Sequence, residues 1–186
     1  MDVVLFRYRG QHVLHRIIGR NGDLLTLKGD GSFNEKEVCT VNDVVVSRTT
    51  EGYFKYQAWP TVAKDDKGVI YVGASSHRLG HVCPFGKDYL FISHDEGKTW
   101  EGPIIANDTC LDDRDAGLCA WGDGQLALTW FNTWKRLYND RLDREPGLQS
   151  PMAKGVVEMW NQMPDEEYHD GAFIRFSKDG GKSWGK

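Results

Sequence analysis

Apolar and polar residues alternate over short stretches bounded by turn residues, and this period of two predicts strands at 3–8, 11–18 and 24–28. Arg9-Gly10 and Arg20-Asn21-Gly22-Asp23 separate them as hairpin turns. A polar stretch from Gly29 to Lys36 leads to another short apolar run, predicted as a strand at 41–46. After Ser47 the texture changes, with Trp, Gly and Asp becoming frequent. Strands are predicted there at 61–64, 69–74, 89–93, 117–121, 125–131 and 172–177. Residues 132–169 break the rhythm, holding Trp134, Trp160, Pro146, Pro151 and Pro164 among scattered charges. This stretch reads as a long insertion with a short helix at 153–160. A boundary between Ser47 and Gly52 divides the chain into modules of 1–47 and 48–186.

Composition narrows the classes. The 186 residues carry 23 Lys and Arg against 27 Asp and Glu, a formal charge of −4, with 40% hydrophobic residues. Neither the basic excess of a nucleic-acid binder nor the low apolar content of a disordered chain is present. The apolar runs Val3-Val4-Leu5-Phe6 and Val44-Val45-Val46 are far shorter than a membrane-spanning helix needs, so no membrane span is expected. Asp2, Arg7, Arg9 and Arg16 interrupt any signal-peptide core, which implies a cytoplasmic product for the sequence as written. Cys39, Cys83, Cys110 and Cys119 are too sparse for a disulfide scaffold and form no C-x-x-C pair. His77 and His81 have only Cys83 nearby as a further ligand, so no metal site and no cofactor is expected. By contrast, 7 Trp, 7 Tyr and 8 Phe among 21 Gly fit short packed strands joined by glycine turns, an all-β chain.

The strongest signal is an internal repeat. Ser93-His94-Asp95-Glu96-Gly97-Lys98-Thr99-Trp100 and Ser177-Lys178-Asp179-Gly180-Gly181-Lys182-Ser183-Trp184 share the pattern S-x-D-x-G-K-[TS]-W, 84 residues apart. Each follows an aromatic, β-rich segment. In such a turn the Asp carboxylate accepts backbone N–H groups, the Gly takes a positive φ, and the Thr or Ser hydroxyl adds a local bond. The Trp then packs into the sheet, and Trp100, followed by more chain than Trp184, is expected to be the more deeply buried. Ser93, Asp95, Gly97, Thr99, Trp100, Ser177, Asp179, Gly181, Ser183 and Trp184 are thus expected to be structural.

This repeat resembles the Asp-box of sialidases and bacterial neuraminidase-repeat proteins, where it forms the turn between outer strands of propeller blades. The segments Tyr56-Gln57-Ala58-Trp59-Pro60-Thr61-Val62, Lys67-Gly68-Val69-Ile70-Tyr71-Val72 and Ser75 to Arg78 look like the opening blade of such a domain. Trp100 to Ile105, Asp112-Asp113-Arg114-Asp115-Ala116-Gly117 and Gly122 to Leu126 look like the start of the next. The resemblance implies an incomplete sialidase-like β-propeller of about two blades over 48–186. It further implies a glycoside hydrolase fragment acting on sialoglycans, inactive alone, with a glycan as substrate or ligand. Members of the family are often secreted.

Sialidase chemistry needs Arg forks for the substrate carboxylate and an acid/base carboxylate. The family's first Arg belongs to an aromatic-Arg-Ile-Pro motif, but here the stretch has Gln57 and no Arg; its acid/base Asp belongs to the loop occupied here by Ser76 to Pro84, which has no carboxylate. Arg78, His81 and Arg114 are therefore the candidate substrate-binding residues, and Asp115 is the candidate catalytic one. The departures from the family pattern favour an alternative, a non-catalytic carbohydrate- or protein-binding propeller fragment.

The first 47 residues resemble the catalytic β-module of signal peptidase and LexA-type serine peptidases through Asp2 to Phe6, Val13 to Ile18 and Leu27-Lys28-Gly29-Asp30. In that family the position of His15 holds the general base, and the nucleophilic Ser lies upstream of these motifs. The chain starts at Met1, immediately before the first of them, so the resemblance implies a β-hairpin module in which His15 is a relic. A peptidase remnant without its nucleophile is thus a third reading, and a fused or truncated product is expected.

Overall fold

The computed structural model describes residues 3–8, 11–28, 36–40, 46–47 and 52–185. The chain is mostly β and divides into two compact units, Met1–Arg48 and Thr49–Lys186, each with its own antiparallel sheets. Among the described residues no helix is long and apolar enough to cross a membrane.

The first unit is a four-stranded meander of β1 (Val3–Tyr8), β2 (Gln11–Asn21), β3 (Leu24–Lys28) and β4 (Glu37–Thr40). Gly22, at φ 59°, makes the β2–β3 turn, a conformation that costs glycine little. Phe6, Leu25, Leu27 and Cys39 are buried together, with Ile17 packed on them. Residues 41–45, most of the strand expected at 41–46, lie outside the described residues, and Val46 is a bend.

The second unit holds two sheets. One is the meander β5 (Tyr56–Lys64), β6 (Ile70–Arg78), β7 (Lys87–Ser93) and β8 (Glu101–Asn107). The other has the order β11-β10-β9, from β9 (Arg114–Ala120), β10 (Leu126–Asn132) and β11 (Gly171–Ser177). Segment 100–105, whose sequence looks like the start of the next repeat, instead supplies most of β8, which pairs with β7 as the last strand of the first sheet. The two sheets share a core of Tyr71, Leu90, Ile92, Ala106, Ala116, Leu126 and Leu128, with Leu118 and Trp184 packed against it. Gly73 lies at this contact, where an added Cβ would be at 3.6 Å from Ala116 and Leu118 of β9.

The insertion between β10 and β11 folds as α1 (Lys135–Asn139), a 3-10 turn at 146–148 and α2 (Pro151–Gln162). Helix α2 is longer than its apolar pattern suggests because Ser150 caps it, accepting from Ala153 N at 3.1 Å, with Pro151 in the first turn. Ala153, Val157 and Trp160 follow helical spacing and are buried with Val82, Leu111, Tyr138, Leu148 and Tyr168.

The two repeated turns have the same bonding. Gly97 N donates to Ser93 Oγ at 2.7 Å, while Thr99 N and Thr99 Oγ1 donate to Asp95 Oδ1 and Oδ2 at 2.8 and 2.7 Å. Gly181 N donates to Ser177 Oγ at 2.9 Å, and Ser183 N and Oγ to Asp179 at 2.9 and 2.5 Å. Gly97 and Gly181 have φ of 81° and 86°. These donors hold both carboxyls down at about 2, the hydroxyl of Thr99 or Ser183 contributing most. The expectation for the tryptophans needs correction: Trp100 is only half-buried, and Trp184, also half-buried, is the one packed against the shared core. The cause lies in the stacking order. The second turn leans back on the first sheet, where a side chain at Gly181 would collide with Leu90, whereas the first turn has no preceding sheet within its unit. Trp184→Ala is accordingly expected to lower the urea midpoint more than Trp100→Ala, and the reverse order would contradict this account of the stacking.

Candidate functional site

The registers place the repeated turns and the charged segment at opposite ends of the sheets. In the first sheet Ile70 faces Ser93 while Ser76 faces Lys87, so Arg78 lies at the far end from the turn. In the second, Leu126 faces Ser177 and Phe131 faces Arg114, with the same result.

At this end the edge strands β5 and β9 carry an irregularity at the same place. The β5–β6 register slips after the pair Ala58 and Ser75, and the β9–β10 register slips before the equivalent pair Arg114 and Phe131. The next residues are Trp59, at φ 48°, and Asp115, at φ 55°. A bulky side chain at positive φ is strained, and such strain persists only where the surroundings enforce it, commonly at functional sites. Each bulge re-aims one side chain of an edge strand.

Beneath them is a sealed ionic core. Arg78 donates Nη1 to Asp112 Oδ1 at 2.6 Å and Nη2 to Asp112 Oδ2 at 2.8 Å, and both side chains are 0% exposed. Arg78 also donates to the carbonyls of Asp113 and His81, both at 3.1 Å. Tyr138 of α1 donates to Asp112 Oδ2 at 2.8 Å, and Arg114 reaches the same oxygen at 3.3 Å. Burial alone would lower the Arg78 pKa, but Asp112 outweighs it and the guanidinium is held charged. Gly86 makes room, since a side chain there would collide with Arg78 and Asp112 and lie 2.7 Å from Asp113 O.

Two further acids are buried alongside. Asp113 accepts from Thr109 N at 2.7 Å and Thr109 Oγ1 at 2.8 Å, and Asn132 donates to it at 2.9 Å in the orientation that satisfies its amide. Burial still pushes the Asp113 carboxyl up to about 6. Asp88, held only by 3.4 Å bonds from Ser75 and Asn107, is raised well above the ordinary carboxylate range, by burial first and by Asp113 second. A raised folded-state pKa means that the folded chain binds the proton more tightly than the unfolded one. The stabilisation is then complete below about pH 4 and lost as pH rises through about 6. Urea midpoints are therefore expected to fall between pH 4 and pH 7, and Asp113→Asn should flatten that slope; an unchanged slope in the variant would count against the assignment.

The four charged and basic residues singled out from sequence converge here, but they differ in access. Arg78 faces inward and is committed to Asp112. Arg114 is buried at its head yet lies over the Trp59 ring, 5.0 Å from the centroid, with Arg78 5.5 Å from the same ring. His81 is exposed and meets Trp59 edge-on at 4.9 Å, and its ring pKa is lowered by partial burial and then by Arg114. Asp115 is half-buried, its N–H donates to Ser75 Oγ at 2.8 Å, and its Oδ1 is buried with no hydrogen-bond partner among the described residues. Burial raises its carboxyl, against the opposing pull of Arg114.

Trp59, Asp112 and Tyr138 are central to this arrangement and were not legible as site residues. Asp112 sits in an acidic run that reads as solvated surface, and its partners are far away in sequence. His15 lies in the first unit, half-buried on β2, with Phe6 edge-on at 5.9 Å and Nδ1 paired with Glu37. Among the described residues no cluster of His, Cys, Asp and Glu has the arrangement to hold a metal ion.

No protein-family model and no curated protein matches the chain. Among solved structures it is similar to a protein of unknown function from Dyadobacter fermentans DSM 18053, with a TM-score of 0.50 and 20% identity over 76% of this chain. The match covers 37% of that protein's chain, so this sequence spans little more than a third of its length, and the likeness concerns the fold alone.

Proposed function

We propose that the second unit is part of a sialidase-like Asp-box propeller and that the pole opposite its repeated turns binds an acidic glycan. The observation that carries this reading is the pair of equivalent bulges that bring Trp59 and Asp115 to one pole, with Arg114 on the indole and His81 at its edge. An indole face suits the apolar C–H face of a sugar ring, and an Arg fork suits a carboxylate. Burial raises the Asp115 carboxyl, the direction of shift that suits a general acid.

Binding without turnover is the expected behaviour of this chain. Both terminal nitrogens of Arg78 are committed to Asp112, and the hydroxyls of Tyr71, Tyr89, Tyr138 and Tyr168 bond to Asp65, His77, Asp112 and the Thr133 carbonyl rather than to a glutamate, the group that activates the tyrosine nucleophile of sialidases. This favours the non-catalytic binding fragment over the hydrolase.

Saturation-transfer NMR with sialyllactose, alongside a fluorogenic sialoside assay, tests the reading. The expected result is sialyllactose binding weakened roughly tenfold or more by Arg114→Ala, the scale of a lost charge-assisted hydrogen bond, with no release of the fluorophore. Hydrolysis abolished by Asp115→Asn would establish the enzyme instead. Absence of binding by the folded wild-type chain would overturn the proposal.

A further inference from the structure

We propose that Thr61 and Ser75 are positioning residues for the pole, two hydroxyls through which the first sheet fixes the bulge of the second and with it Asp115. The role rests on the reading of this pole as a binding site, and its geometry follows from what a bulge does to strand pairing.

Between the pairs Thr129 with Gly117 and Phe131 with Arg114, two residues of β9, Asp115 and Ala116, oppose Trp130 alone. The ladder is interrupted at such a place, and backbone groups buried at a break need partners from elsewhere. The first sheet supplies them. Asp115 N–H donates to Ser75 Oγ at 2.8 Å, and the Ala116 carbonyl accepts from Thr61 Oγ1, also at 2.8 Å.

The bulge of β5 puts these two hydroxyls where they are needed. Ser75 faces Ala58 and Thr61 faces Gly73 in the β5–β6 register, so they bracket the break that holds Trp59 and Pro60. Ser75 is fully buried, and the other oxygens around its hydroxyl, Asp88 Oδ1 and Asp113 O, lie at 3.4 Å, so the bond from Asp115 N–H is its closest. One pair of bonds thus ties the residue beside the indole to the residue that carries the carboxylate.

A bulge that loses such bonds relaxes toward regular pairing, and a shift of one residue turns a side chain to the opposite face. Asp115, half-buried with its carboxyl raised by burial, then loses its place, and Arg114 next to it leaves the Trp59 ring.

NMR titration of the Asp115 carboxyl in the ligand-free full chain reads this position without any glycan. In the wild type it is expected to titrate above the ordinary aspartate range. In Ser75→Ala and in Thr61→Val it should fall toward that range, whereas Thr61→Ser keeps the hydroxyl and should leave it in place. Sialyllactose binding, followed by saturation transfer, should weaken roughly threefold or more in the same two variants, the scale of one lost hydrogen bond, and hold in Thr61→Ser. Circular dichroism confirms folding, and Thr61→Val, close to threonine in shape, carries the test if Ser75→Ala does not fold. A carboxyl that titrates alike in the wild type and the folded hydroxyl-deleted variants would overturn the proposal, as would sialyllactose binding left unchanged by a shifted carboxyl. A shifted carboxyl in a chain whose wild type binds no sialyllactose would instead sustain the positioning of Asp115 and sink the binding reading.

Discussion

Asp112→Ala is expected to destabilise the second unit by roughly 3–5 kcal/mol, the usual cost of removing one partner of a buried ion pair. The size follows from what the carboxylate leaves behind. Arg78 would keep a charge with no counter-ion at 0% exposure, and Arg114 and Tyr138 would lose the oxygen they share. Most of the penalty is thus the orphaned charge, so Arg78→Met combined with Asp112→Leu should recover part of the loss, because apolar replacement of both partners removes the unpaired group. Urea unfolding followed by tryptophan fluorescence measures both. A single-variant loss within about 1 kcal/mol, the range of an exposed pair, would mean that water reaches the pair.

The second large effect is expected at Trp160. Its side chain is fully buried, meets Tyr138 and Tyr168 edge-on at 5.0 and 5.9 Å, and donates Nε1 to Cys110 O at 2.9 Å. Trp160→Ala removes the largest side chain of the insertion's core and should cost roughly 3–5 kcal/mol. Trp160→Phe keeps much of the volume and loses the hydrogen bond, so it should cost clearly less. Equal losses for the two variants would place the energy in the bond to Cys110 and not in packing. Helical signal near 222 nm should fall with Trp160→Ala, because Val157 and Ala153 share the same buried face of α2.

Local chemistry was the legible part of this sequence. The eight-residue repeat specifies its own turn, since every group that bonds to Asp95 or Asp179 lies within four residues of it. Most strands were also legible from alternation, and α2 from its spacing. β8 was not, because Gly102-Pro103 reads as a turn; Pro is tolerated there since β8 is an edge strand with no second neighbour. The ionic core was illegible for a different reason. Asp112 bonds to Arg78 and Tyr138, 34 and 26 residues away, and nothing in a run of charges tells a buried acid from a solvated one. What Trp100 and Trp184 pack against was likewise set by which sheet lies behind each turn, a property of stacking and not of the motif.

The paired bulges at Trp59 and Asp115 have an evolutionary consequence. One backbone device recurs in both sheets, yet it presents an indole in one and a carboxylate in the other. Each sheet thereby contributes a single interchangeable address at the pole, while strand pairing and the repeated turns at the opposite end stay as they are. Under the proposed binding role, one substitution per repeat at these two positions would alter the chemistry at the pole while leaving the scaffold unchanged.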